Sequence, residues 1–321
     1  MKVRKGVFGA VLLLCATLCM TNVTALADDG THTHPICGTT HTDIGDHTGE
    51  CADVVWTAWD GTSDIDYGDD NTAYVYLSGN AERSEQFAVK DGKTLYLCLN
   101  GYSITRTTDS TDAFDAVIRV YGNAQLVLCD CKGSGTITHS ADVYGRGVRL
   151  GDSSSTGDFI MYGGEISGNR IDISAHSAAA GDGAGVEAQQ SDFTMYGGKI
   201  TNNHVIKGSN NEGGVNMHTG GTFTMYGGEI SGNACSDTGG GVISAGTYLK
   251  LYGGTISNNT ADKRGGGVFT NMTLTISDGI TITGNKSEQG GGIYTYDEDI
   301  TINGGNITGN TATYGGGVYH I

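Results

Sequence analysis

One sequence element returns six times along this chain. Met161-Tyr162-Gly163-Gly164 recurs as Met195 to Gly198, Met225 to Gly228 and Leu251 to Gly254, and in weaker form as Ile276 to Gly279 and Ile302 to Gly305. Each copy leads to an aliphatic residue and then an asparagine. The asparagines are Asn169, Asn203, Asn233, Asn259, Asn285 and Asn310, spaced 34, 30, 26, 26 and 25 residues apart. A glycine cluster follows each time and ends in Val186, Val215, Val242, Val268, Ile293 or Val318. Fixed-period self-similarity of this length is the mark of a solenoid.

A unit of about 25 residues is too short to bury an apolar face alone. Within it, apolar residues alternate: Phe193 with Met195, Phe223 with Met225 and Leu249 with Leu251 share one face, while Thr194, Thr224 and Lys250 lie between them. Period-two alternation describes short strands with one dry face. Stacking unit on unit dries that face continuously. The expected fold is therefore all-β: a single-stranded right-handed parallel β-helix with three short strands per coil and an irregular N-terminal cap. The 54 glycines and single proline fit many tight corners. The six asparagines are expected to form an inward ladder, each bonding its amide to the copies on either side and adopting the left-handed backbone of a sharp corner.

At these residues the chain resembles a known group. Units such as MYGGEISGNACSDTGGGVISAG are similar to the β-helix repeats of large, clostridial-type surface proteins of anaerobic Gram-positive gut bacteria. They are more distantly similar to the GGAI and FxxN repeats of chlamydial polymorphic outer-membrane proteins. Upstream, LYLCLNGYSI, LVLCDCKGSGTITHS, GRGVRL and HTHPICG…HTGEC resemble the opening segments of the Gram-positive group. The resemblance covers nearly all of the chain beyond its first residues. It implies a cell-surface, adhesin-like role, and it supplies neither ligand nor catalytic residue.

Residues 1–27 read as a signal peptide. Lys2, Arg4 and Lys5 precede an apolar stretch from Val7 to Met20, and Ala25-Leu26-Ala27 offers small residues for cleavage before Asp28. Its removal leaves 15 basic against 35 acidic residues. Such a balance excludes nucleic acid as a partner and electrostatic attachment to anionic lipid. The expected location is secreted or cell-surface, with no membrane span in the mature chain. Residues 28–60 read as a polar, His- and Cys-containing lead-in. Residues 61–150 read as the cap and irregular first coils, and residues 151–321 as the regular repeats. The chain stops at Ile321 inside an expected strand. The expectation is a fragment of a longer protein, or a last coil covered by a partner chain.

Several side-chain groups are candidates for function. His32, His34, Cys37 and Cys51 could hold zinc, which takes Cys and His ligands. A Cys37–Cys51 disulfide is the competing expectation for an exported chain; otherwise no cofactor is expected. Cys98 and Cys129 occupy equivalent places and either pair or line a ladder as thiols. Tyr162, Tyr196, Tyr226 and Tyr252 should form an outward stripe, which either meets a glycan or surface-protein partner or simply stabilises the coil. Connections after Asn169 and Asn203 are long and should protrude at one corner.

The alternative function is a polysaccharide-acting enzyme, a pectate-lyase-like lyase or a glycoside hydrolase on the same fold. Glycoside hydrolysis needs two placed carboxylates. Asp172, Asp182, Glu187, Asp192 and Glu212 lie near the long connections but form no motif of those enzymes. The Asp66–Asp70 run lacks the spaced ligands of a calcium loop and reads as an acidic turn. A structural or adhesive module is the preferred reading.

Overall fold

A computed structural model describes residues 56–109, 115–172, 183–206, 213–296 and 300–321, together with the backbone of His32–Thr33 and Thr40–His41. The described residues form strands and turns without a helix, coiled as a parallel β-solenoid of about eight turns. All strand pairings beyond residue 56 are parallel, and strands pair with their counterparts one coil away. One antiparallel pair, His32–Thr33 with Thr40–His41, stands apart from the coil.

The register follows the repeat residue by residue. Ile166, Ile200, Ile230, Ile256, Ile282 and Ile307 face one another in turn. So do Val186, Val215, Val242, Val268, Ile293 and Val318 in a nine-stranded sheet on another side. Phe159, Phe193 and Phe223 stack inside the coil with ring centroids 4.8–4.9 Å apart. That spacing is set by the distance between neighbouring strands. Together these residues make one continuous dry core from Trp59 to Ile293.

The coil begins earlier than the sequence suggests. Thr57–Trp59, within the expected lead-in, pairs in parallel with Val75–Leu77. Trp59 is buried and packs on Phe87 at 4.8 Å. A large apolar side chain there recruits its strand into the core.

The asparagine ladder forms as expected, with one correction. Asn233 donates from both its backbone N–H and its Nδ2 to Asn259 Oδ1, each at 3.0 Å, and Nδ2 also donates to the Ile200 carbonyl at 2.9 Å. The same set recurs from Asn203 to Asn233, from Asn259 to Asn285 and from Asn285 to Asn310. The ladder residues themselves do not take the left-handed backbone. The residue just before each one does: Gly168, Asn202, Gly232, Asn258, Gly284 and Gly309, with φ between 53° and 69°. The left-handed residue turns the chain so that the following asparagine aims inward. Glycine and asparagine are the residues that adopt this conformation at least cost.

Close passage at the facing corner depends on glycine. A Cβ on Gly241 would lie 2.5 Å from the Gly267 carbonyl oxygen and 2.9 Å from Asn259 Nδ2. The recurrent glycine is therefore a packing requirement against the asparagine ladder.

Candidate functional site

The expected tyrosine stripe is present on the outer face of the longest sheet. Each tyrosine follows a core Met or Leu and so points the opposite way from it. Ring centroids are 4.9 Å apart for Tyr162–Tyr196, 5.0 Å for Tyr196–Tyr226 and 5.3 Å for Tyr226–Tyr252, with interplanar angles of 7°, 7° and 22°. Coplanar rings this close would collide, so the faces overlap. Neighbouring rings cover both faces of Tyr196 and Tyr226. What the stripe presents outward is ring edges and a row of phenol groups. Tyr226 is 48% exposed and Tyr252 36%. Tyr248, 53% exposed, sits on the same sheet opposite Thr222 and widens the surface; the repeat pattern had not singled it out.

Towards the N-terminus the row changes chemistry. Tyr76 faces Cys98, and Cys98 faces Cys129. Tyr162 packs against this group. Beside it Tyr74 stacks on Tyr96 at 4.3 Å, and Trp56 meets Tyr74 edge-on at 5.6 Å. Burial pushes the Tyr74 phenol above its ordinary value, and the neighbouring Tyr96 adds to this. Cys98, Cys129, Cys131 and Cys235 are all thiols. Cys98 and Cys129 are buried, and desolvation raises both, Cys98 strongly.

A second polar row, largely covered, runs beside the isoleucine ladder. Ser167, Thr201, Ser231, Ser257, Thr283 and Thr308 face one another in sequence. Their signal was in the sequence, as the third residue of EIS, KIT, EIS, TIS, TIT and NIT.

The carboxylates near the long connections are held by the fold. Glu187 is buried between Arg146 and Arg149 and pairs with both. Asp192 Oδ1 accepts the Thr222 N–H at 2.7 Å, and Asp158 Oδ1 accepts the Asp192 N–H at 3.0 Å. Burial raises the Asp158 carboxyl, with the Asp192 charge adding to it. Asp172 is half-buried at the edge of the described chain. Asp182 and Glu212 lie outside the described residues, as do residues 173–182 and 207–212 of the long connections after Asn169 and Asn203. In the acidic run, Asp66 Oδ1 accepts the Gly68 N–H at 2.9 Å and closes a local turn.

Of the zinc or disulfide candidates, the backbone of His32 pairs with that of His41. The side chains of His32, His34, Cys37 and Cys51 lie outside the described residues. Among the described residues no group of three or more His, Cys, Asp or Glu side chains is placed to hold a metal ion. No described helix is long and apolar enough to cross a membrane. Comparison with protein-family models, with curated proteins and with solved structures finds no match.

Proposed function

We propose that this chain is a secreted or cell-surface module with a structural and adhesive role, and that its outer tyrosine row meets a surface glycan or protein. The observation that carries this reading is the exposed run of Tyr226, Tyr248 and Tyr252 on a rigid, in-register sheet. Tyrosine gives a large amphipathic contact area with little conformational entropy to lose. Stacking of Tyr226 and Tyr252 fixes those two rings before any partner arrives. Both faces of Tyr226 are covered within the stack, so it meets a partner through its phenol hydroxyl and ring edge, a geometry suited to hydrogen-bonding partners.

The signal-like residues 1–27 and the acidic surface support an extracellular setting. Against the enzymatic alternative stand the commitments of Glu187 to two arginines and of Asp192 to a backbone N–H. A carboxylate so engaged is poorly placed for proton transfer or attack.

The test is binding of the purified chain to glycan arrays and to intact bacterial and epithelial surfaces. A doubly substituted Tyr226→Ser, Tyr252→Ser chain with an unchanged strand spectrum should lose at least tenfold in affinity. Equal binding by that variant would remove the tyrosine row from the account. Release of product from a polysaccharide would favour the enzymatic reading instead.

A further inference from the structure

We infer that Cys98 and Cys131 form a redox-active pair, closing on oxidation into a disulfide that staples two neighbouring coils. Their sulfurs lie 3.4 Å apart although the residues are 33 positions apart in sequence. Cys98 ends the strand Thr94–Cys98. Cys131 follows the strand Ala124–Cys129 of the next coil, two residues beyond its end.

The residue equivalent to Cys98 is Cys129, its register partner. Equivalence makes that pair the obvious disulfide, and geometry disfavours it. Side chains of register partners in parallel strands run side by side, with their Cβ atoms about one strand spacing, ~4.8 Å, apart. A disulfide wants Cβ atoms roughly 3.5–4.5 Å apart and the side chains turned toward each other. The sheet holds Cys98 and Cys129 side by side at the strand spacing, where their thiols hydrogen-bond rather than meet end to end. Cys131 has left the strand, and its sulfur approaches Cys98 from the corner. Only a further ~1.4 Å separates the 3.4 Å contact from a bonded distance of about 2.0 Å. Rotation about χ1 can supply that.

The two thiols have different access. Cys98 is fully buried, whereas Cys131 is partly exposed and its thiol lies 3.9 Å from Asn100 Oδ1. Burial also holds Cys98 in its protonated form. The accessible sulfur therefore reacts first. As thiolate, Cys131 attacks an external disulfide and displaces one of its sulfurs as a thiol. Cys98 then gives up its proton and attacks the mixed disulfide at Cys131, releasing the second external sulfur. The external disulfide gains two protons and two electrons and ends as two thiols, while the chain loses the same. Cys129 remains a buried thiol alongside.

The experiment uses the folded full-length chain, isolated reduced and then incubated with oxidised glutathione. Digestion without reduction and mass spectrometry identify the linked peptides. The expected product joins Cys98 to Cys131, and it also forms in the Cys129→Ala chain. Cys131→Ser should leave Cys98 and Cys129 as thiols under the same conditions. The oxidised chain should unfold at higher denaturant concentration than the reduced one, and a reductant should reverse the shift. A Cys98–Cys129 link in the unsubstituted chain, a link at Cys98 that survives Cys131→Ser, or Cys131 found only as its glutathione adduct would each overturn the inference.

Discussion

His139 Nδ1 lies 2.9 Å from Asn169 Oδ1, so a buried imidazole terminates the asparagine ladder on its N-terminal side. In later coils that oxygen receives bonds from the preceding asparagine. Here a ring N–H takes over the donation. This fixes the tautomer with the proton on Nδ1 and leaves Nε2 without a hydrogen-bond partner inside the coil.

Acid should expose that arrangement. Burial depresses the His139 pKa from 6.5 to about 4, with Arg106 acting the same way and the Asn169 bond opposing. Well above pH 6.5 the ring is neutral in both folded and unfolded chains and contributes no pH dependence. Between 6.5 and 4 the unfolded chain takes up a proton that the fold refuses. Stability is therefore lost as pH falls, by about 3 kcal/mol once pH is below 4. Denaturant unfolding of the wild type and of His139→Asn across this range should differ by that amount. A matching pH profile in both chains would contradict the assignment.

Ladder asparagines should be unequal. Removing the Asn259 side chain leaves the Asn233 N–H and Nδ2, the Ile230 carbonyl and Asn285 Oδ1 short of partners in a dry interior. Asn259→Ala should cost roughly 3–5 kcal/mol. Asn310→Ala, at a more open rung, should cost clearly less. Urea midpoints of the two chains give the comparison.

Corner residues should separate by backbone need. Asn258 has φ of 55°, and Asn258→Gly should be nearly neutral while Asn258→Ala costs about 1 kcal/mol. Gly241→Ala should be far worse, because its Cβ meets the Gly267 carbonyl rather than open space. Thermal midpoints of the three chains provide the ranking.

Glu187 anchors two arginines, and their order of importance follows. Glu187→Ala removes the buried carboxylate that Arg146 and Arg149 share and should cost about 3–5 kcal/mol. Arg149→Met leaves Glu187 paired with Arg146 and should be milder. A reversed order in denaturant unfolding would show that the pairing is not what holds this region.

The repeating parts of this architecture were legible because each position is written six times. Ile166 to Ile307 and Asn169 to Asn310 announce their alignment by recurrence alone. What stayed hidden is what occurs once. The Arg146–Glu187–Arg149 cluster joins two residues of the irregular coils to one of the first regular repeat, and all three resemble ordinary surface charges in sequence. The approach of Cys131 to Cys98 depends on where a corner directs one side chain. Ring orientation in the tyrosine row is likewise a matter of rotamers; alternation put those residues outside but did not say that each covers the next. The left-handed corner fell one residue earlier than expected because an inward side chain needs its turn before it.

Every rung of the ladder satisfies its neighbour in the same direction: the amide and side-chain nitrogen of one asparagine serve the oxygen of the next. The rungs are thus interchangeable parts. Excising residues 234–259 would set Asn233 where Asn259 stood, facing Asn285 with an identical complement of donors and acceptors. Length in this molecule is an adjustable quantity, open to change by whole periods without redesign of the interior.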